Sequence, residues 1–168
     1  FQLRLKNEKK DKLIKIAKKI KKIAKKYDVK FIVNDNPYLA NEVNADGCHI
    51  GQKDFDIKKA RKILKNKILG VTCHNSISLS QKAIENGADY IALGAFFQSK
   101  TKKVKYFADF HTLRSVKKFS KTDVVAIGGI NLRNYKKVLL NKANFLAISN
   151  YIWKNKTLNP EEALNKLK

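Results

Sequence analysis

Val124-Val125-Ala126-Ile127-Gly128-Gly129-Ile130-Asn131 joins an apolar run to two glycines and a polar residue. The small and β-branched residues Val124–Ile127 suit a strand buried on both faces, as in parallel sheets. Gly128 and Gly129 allow a tight turn and a close approach to the backbone. Asn131 is expected to cap a helix over Leu132–Asn141, with Leu132, Tyr135, Val138 and Leu139 on its apolar face. Such a turn offers N–H groups to an anion. By itself it is a common structural turn, and its weight comes from the other strand ends.

Outward from this stretch, strands and helices alternate. Phe1–Lys6 alternates apolar and polar residues, as a strand does. Asn7–Tyr27 reads as a helix with a stripe of Leu13, Ile16, Ile20, Ile23, Ala24 and Tyr27 among solvated lysines. Lys30–Asp35 is a strand, followed by a short helix with Asn36 as cap and Pro37 in its first position. Strands are also expected at Asp46–Gln52, Lys67–Cys73, Asp89–Phe97 and Asn144–Ser149. Helices are expected over Ile57–Leu64, capped by Asp56, over Ser78–Asn86, closed by Gly87, and around Asp109–Phe119. Asn159-Pro160-Glu161-Glu162 opens a last helix. The pattern predicts seven strands in βα units, and one domain over residues 1–168 with no linker. Seven strands are one fewer than a (β/α)₈ TIM barrel needs. The chain begins at Phe1 and contains no Met, so an absent first strand is the economical expectation. An open doubly wound sheet is the alternative.

The chain has 168 residues, 43% of them hydrophobic, which suits a globular core and excludes global disorder. Its formal charge of +23 invites a nucleic-acid reading. The lysines are spread over nearly every helix, however, so a background composition bias, or a basic protein with a phosphorylated small substrate, fits equally well. No apolar run approaches the ~20 residues of a membrane span, and no signal peptide is visible. A soluble cytoplasmic protein is expected. Cys48 and Cys73 lie in strand-like segments and do not suggest a disulfide scaffold. His49 and His74 each follow a cysteine, but adjacent strand residues point to opposite faces, so zinc is set aside.

In either architecture, function belongs at the C-terminal ends of the strands. Those ends carry Arg4 and Lys6; Asn34 and Asp35; Gln52 and Asp54; Thr72 and His74; Ser99, Thr101 and Lys102; Gly128 and Gly129; and Ser149 and Asn150. Cations bind phosphate oxygens. Paired carboxylates hold Mg²⁺, which takes water and phosphate oxygens as its other ligands. A phosphate ester with a divalent metal is the simplest ligand for this set.

The segments QLRLK at Gln2–Lys6, ND at Asn34-Asp35, ADGCHIGQKD at Ala45–Asp54, GVTCH at Gly70–His74, SKTK at Ser99–Lys102, VAIGGIN at Val125–Asn131 and IS at Ile148-Ser149 resemble the thiamine phosphate synthase family and its close relative, the thiazole tautomerase. They follow the family's order over nearly the whole chain. The resemblance implies a (β/α)₈ barrel that joins a pyrimidine diphosphate to a thiazole phosphate and releases diphosphate. It implies that Gln2, Arg4, Lys6, Asn34 and Lys102 hold the pyrimidine diphosphate, with Arg4, Lys6 and Lys102 as the catalytic cations. It implies that Asp35 and Asp54 bind Mg²⁺. Thr72 stands where the family has a serine near the pyrimidine. Ser99, Lys100, Thr101, Gly129, Ile148 and Ser149 are implied to contact the thiazole phosphate. The implied chemistry is dissociative and rests on positioning and electrostatics. Leu5 replaces the family's usual glutamate, and Ala95 and Gln98 replace prolines.

His74 belongs with the substrate-binding residues in the synthase reading. It is the acid–base residue in the alternative, a tautomerase. Asp35, Asp54 and Lys102 together favour the synthase. A non-catalytic or nucleic-acid-binding barrel descendant is the remaining alternative. No nucleic acid or membrane partner is expected, and a homo-oligomer is left open.

Overall fold

A computed structural model describes residues 1–98 and 105–167. Seven strands follow one another in the sheet in sequence order, β1-β2-β3-β4-β5-β6-β7. This order excludes the doubly wound alternative, whose sheet reverses strand order at a switch point. Seven strands and their helices make an α/β fold; an eighth strand, as the barrel reading needs, is not among the described residues.

The chain divides into two compact units, Phe1–Thr72 with Ala83–Tyr90, and Cys73–Lys82 with Ile91–Lys168. The first holds β1 (Gln2–Leu3), α1 (Lys10–Lys26), β2 (Ile32–Asn34), α2 (Pro37–Glu42), β3 (Gly47–Ile50), α3 (Ile57–Leu64) and most of β4 (Ile68–His74). Its strand pairs are parallel: Leu3 lies opposite Val33, Asn34 opposite His49, and His49 opposite Gly70. Every residue of β3 is buried. Phe31, Val33, Ile50, Leu64, Leu69 and Val71 form the core of this unit. The second unit holds most of β5 (Tyr90–Gly94), with α5 (Phe110–Phe119), β6 (Asp123–Ile127), α6 (Tyr135–Leu140), β7 (Phe145–Ala147), α7 (Asn150–Trp153) and α8 (Pro160–Asn165). Leu93, Leu113, Val116, Val124 and Val138 are buried in it. The unit boundary crosses α4 (Ile77–Glu85). Among the described residues no helix is long and apolar enough to cross a membrane.

Local chemistry explains the helix starts. Asn36 caps α2 through Leu39 N, Asp56 caps α3 through Lys59 N, and Asp109 caps α5 through Thr112 N. Asn159 and Glu162 form a capping box at α8, with Pro160 in its first turn.

Three expectations are corrected. The helix expected from Leu132 begins at Tyr135, because Asn131 is used in the preceding turn: its Oδ1 accepts from Arg133 N and its own N–H donates to Asn134 Oδ1. Leu132 and Leu139 are exposed; Tyr135 and Val138 carry the packing. In α1, Leu13, Ile16, Ile20 and Ala24 of the expected stripe are buried or half-buried, but Ile23 and Tyr27 are exposed and Ala17 is buried beside them. β1 ends at Leu3, so Arg4 and Lys6 lie beyond the strand.

The N-terminal ends of the first unit's strands are tied by carboxylates. Asp46 Oδ2 accepts from Lys21 Nζ (2.7 Å) and from Phe31 N (2.8 Å). Asp89 Oδ2 accepts from Leu69 N (2.7 Å) and from Arg61 Nη2 (2.5 Å). Burial works to raise the Asp46 pKa, but the bonds from Lys21 and Phe31 outweigh it and hold the group below its ordinary 3.8. A depressed carboxylate contributes stability above its unfolded pKa and loses it as pH falls through the folded one. Asp46→Asn should therefore cost about 1–2 kcal/mol in urea unfolding at pH 7, and the difference from wild type should close as pH falls below the ordinary 3.8.

Candidate active site

The first unit gathers carboxylates and cations at the C-terminal ends of its strands. Asp35 follows β2 directly and adopts a left-handed backbone, φ 66°. Among non-glycine residues Asp and Asn tolerate this conformation best. Its N–H donates to His49 O (2.7 Å), which locks the turn to β3. Asp54 lies in the loop after β3, and its Oδ2 accepts from Gly51 N (2.9 Å). A Cβ on Gly51 would run into that carboxylate.

The two side chains are within hydrogen-bonding reach of each other. Desolvation first, and then the hydrogen bond and negative charge of Asp54, raise the Asp35 pKa above its ordinary 3.8; Lys6 and Arg4 oppose the rise. Arg4, Lys6, Asp35 and Asp54, all expected site residues, are thus electrostatically joined. Gln2 Nε2 donates to Asn34 Oδ1 (2.5 Å), which places two more of them side by side on neighbouring strands.

Two like charges held together, with cations close by, suit a divalent cation and a polyanion bound together. Among the described residues no group of three or more His, Cys, Asp or Glu side chains gathers to hold a metal.

Thr72, on β4, is fixed at both ends. Its carbonyl accepts from Gln52 Nε2 (2.5 Å), and its Oγ1 lies 2.8 Å from His49 Nε2. The other ring nitrogen of His49 lies 2.9 Å from the Tyr90 hydroxyl. The sequence left His49 and Tyr90 out of the site. His49 sits in the apolar β3 with no local signal of a polar role, and its partner Tyr90 lies 41 residues away.

The second unit carries the glycine turn. Gly128 and Gly129 have φ of 92° and 65°. A Cβ on Gly128 would run into Ala95, and one on Gly129 into the Gln98 carbonyl. Asn131 Nδ2 and Asn134 Nδ2 both donate to Gly129 O (3.1 Å each), so two side-chain amides clamp this turn. Ile148 and Ser149 lie between β7 and α7; the Ser149 side chain makes no capping bond. His74 has φ 54°, and its ring lies 4.7 Å from that of Tyr106. Ser99, Lys100, Thr101 and Lys102 lie outside the described residues.

A family model described as thiamine monophosphate synthase matches residues 1–152. The chain belongs to the thiamine monophosphate synthase family. It is 64% identical to the thiamine-phosphate synthase of Pelagibacter ubique over 168 residues, which is all of this chain and 81% of that protein. It is 38% identical to the thiamine-phosphate synthase of Rhodospirillum centenum, over 90% of this chain and 74% of that one. The thiamine phosphate pyrophosphorylase of Pyrococcus furiosus superposes with a TM-score of 0.90 at 30% identity, covering 99% of this chain and 79% of that one. A 3-hexulose-6-phosphate synthase, at TM-score 0.71 and 16% identity, shares the fold.

An acid whose folded pKa is raised loses stability as pH climbs from its unfolded toward its folded pKa. Asp35→Asn removes that penalty. In chelator at pH 7 its melting temperature should exceed that of wild type, and the gap should narrow below the ordinary 3.8; a variant that melts lower at pH 7 would show the pair to be stabilising.

Proposed function

We propose that this chain makes thiamine phosphate, transferring a pyrimidinylmethyl group from its diphosphate to a thiazole phosphate and releasing diphosphate. One observation carries the proposal: Arg4, Lys6, Asp35 and Asp54 converge in the first unit, in a chain 64% identical along its whole length to a protein of that name.

Arg4 and Lys6, with Lys102, take the diphosphate. Its departure leaves negative charge on the bridging oxygen, and the cations favour that state over the intact ester. The C–O bond breaks with its electron pair leaving on the diphosphate. The thiazole nitrogen then supplies the pair for the new C–N bond. Asp35 and Asp54 would hold Mg²⁺, which when bound adds positive charge beside the leaving group. Gln2, Asn34, Thr72 and His74 hold and orient the pyrimidine. Gly129, Ile148, Ser149 and the segment Ser99, Lys100 and Thr101 receive the thiazole phosphate. No side chain needs to act as nucleophile, so positioning and charge supply the rate. The eight-stranded (β/α)₈ barrel is part of the same reading and rests on the consecutive strand order.

Diphosphate release from the two substrates tests this. It should require Mg²⁺ and stop in chelator. Asp35→Ala should lose at least 100-fold in kcat/KM, as should Arg4→Ala, on the order expected when a charge partner of a leaving group is removed. Folded wild-type protein that releases no diphosphate in Mg²⁺ would refute the proposal.

A further inference from the structure

His49 is 8% exposed, and its ring is bracketed by two hydroxyls, Tyr90 Oη at Nδ1 (2.9 Å) and Thr72 Oγ1 at Nε2 (2.8 Å). The His49 and Tyr90 rings stack with centroids 5.5 Å apart. Gly70 makes the room: a Cβ there would fall on the Tyr90 ring. The buried ring meets a hydroxyl at each nitrogen and a carboxylate at neither, so it is neutral and carries one N–H.

The position of that proton follows from Tyr90. Burial raises the phenol pKa, so the phenol keeps its hydrogen. Its one hydrogen-bond partner among the described residues is His49 Nδ1. A half-buried O–H with one partner donates to it. Nδ1 is then the acceptor, Nε2 carries the hydrogen, and Nε2–H donates to Thr72 Oγ1. The Thr72 hydroxyl, serving His49 as acceptor, keeps its own hydrogen for a ligand.

We propose that Tyr90 and His49 are positioning residues that act through Thr72, fixing its hydroxyl as a hydrogen-bond donor to a ring-nitrogen acceptor of the bound pyrimidine. The proposal rests on the synthase reading. The opposite tautomer would make Thr72 donate to His49 and offer the pyrimidine only lone pairs, which ring nitrogens cannot use.

Nitrogen-15 NMR of histidine-labelled full chain reads the tautomer without mutation. A His49 with Nε2 protonated and Nδ1 bare is expected, and protonation on Nδ1 overturns the proposal. Steady-state kinetics supply the functional arm. Tyr90→Phe keeps the ring over Gly70 and removes only the hydroxyl. It should raise KM for the pyrimidine diphosphate about tenfold, the worth of one oriented hydrogen bond, and leave KM for the thiazole phosphate unchanged. Added to Thr72→Val, the same change should cost nothing further, since the relay has no hydroxyl left to orient. Equal losses from Tyr90→Phe in both backgrounds, or a matching rise in both KM values, would assign Tyr90 to packing alone. Wild-type protein that releases no diphosphate removes the synthase reading and the relay's role with it. Active wild type beside a Tyr90→Phe variant of unaltered KM overturns the relay alone.

Discussion

In-register parallel pairing in the first unit sets everything else at its strand ends. Asn34 lies opposite His49 and His49 opposite Gly70. That ladder brings the turn carrying Asp35, the loop carrying Asp54 and the hydroxyl of Thr72 to the same end of the sheet. A slip of one residue would turn every side chain to the other face, sending Val33 and Ile50 into the packing of the opposite layer. Burial on both faces of β3 makes the register costly to change.

The two ends of these strands do different work. At the N-terminal ends each carboxylate is matched: Asp46 meets Lys21 and a backbone N–H, and Asp89 meets Arg61 and a backbone N–H. At the C-terminal ends Asp35 and Asp54 face each other, and the penalty is borne as a raised pKa. Desolvation and the charge of Asp54 outweigh the opposing pull of Lys6 and Arg4 there, so this end of the sheet keeps a destabilising charge pair where the other end has matched ones.

Much of this was legible in the sequence. Asp56, Asp109, Asn36 and Asn159 announce their helices because capping is a local interaction between a side chain and an N–H two or three residues on. Asp35 and Asp54 could be singled out because each is a charge just past the expected end of a strand. The Tyr90–His49–Thr72 chain was not legible, since it joins three strands and His49 and Tyr90 each look like packing. The start of α6 was misplaced for a related reason: Asn131 and Asn134 are both good caps, and only the clamp on Gly129 shows that the first serves the turn. In α1 many isoleucines compete for one face, and Ile23 loses to Ala24 because the small residue lets the helix approach the sheet.

Calorimetric titration of the pyrimidine diphosphate into the full chain, in Mg²⁺ and again in chelator, bears most directly on the Asp35–Asp54 pair. Binding should be tight in Mg²⁺ and weakened at least tenfold in chelator, and Asp35→Asn should erase the difference between the two conditions. Equal affinity with and without Mg²⁺ in wild-type protein would contradict a metal-holding role for the two carboxylates.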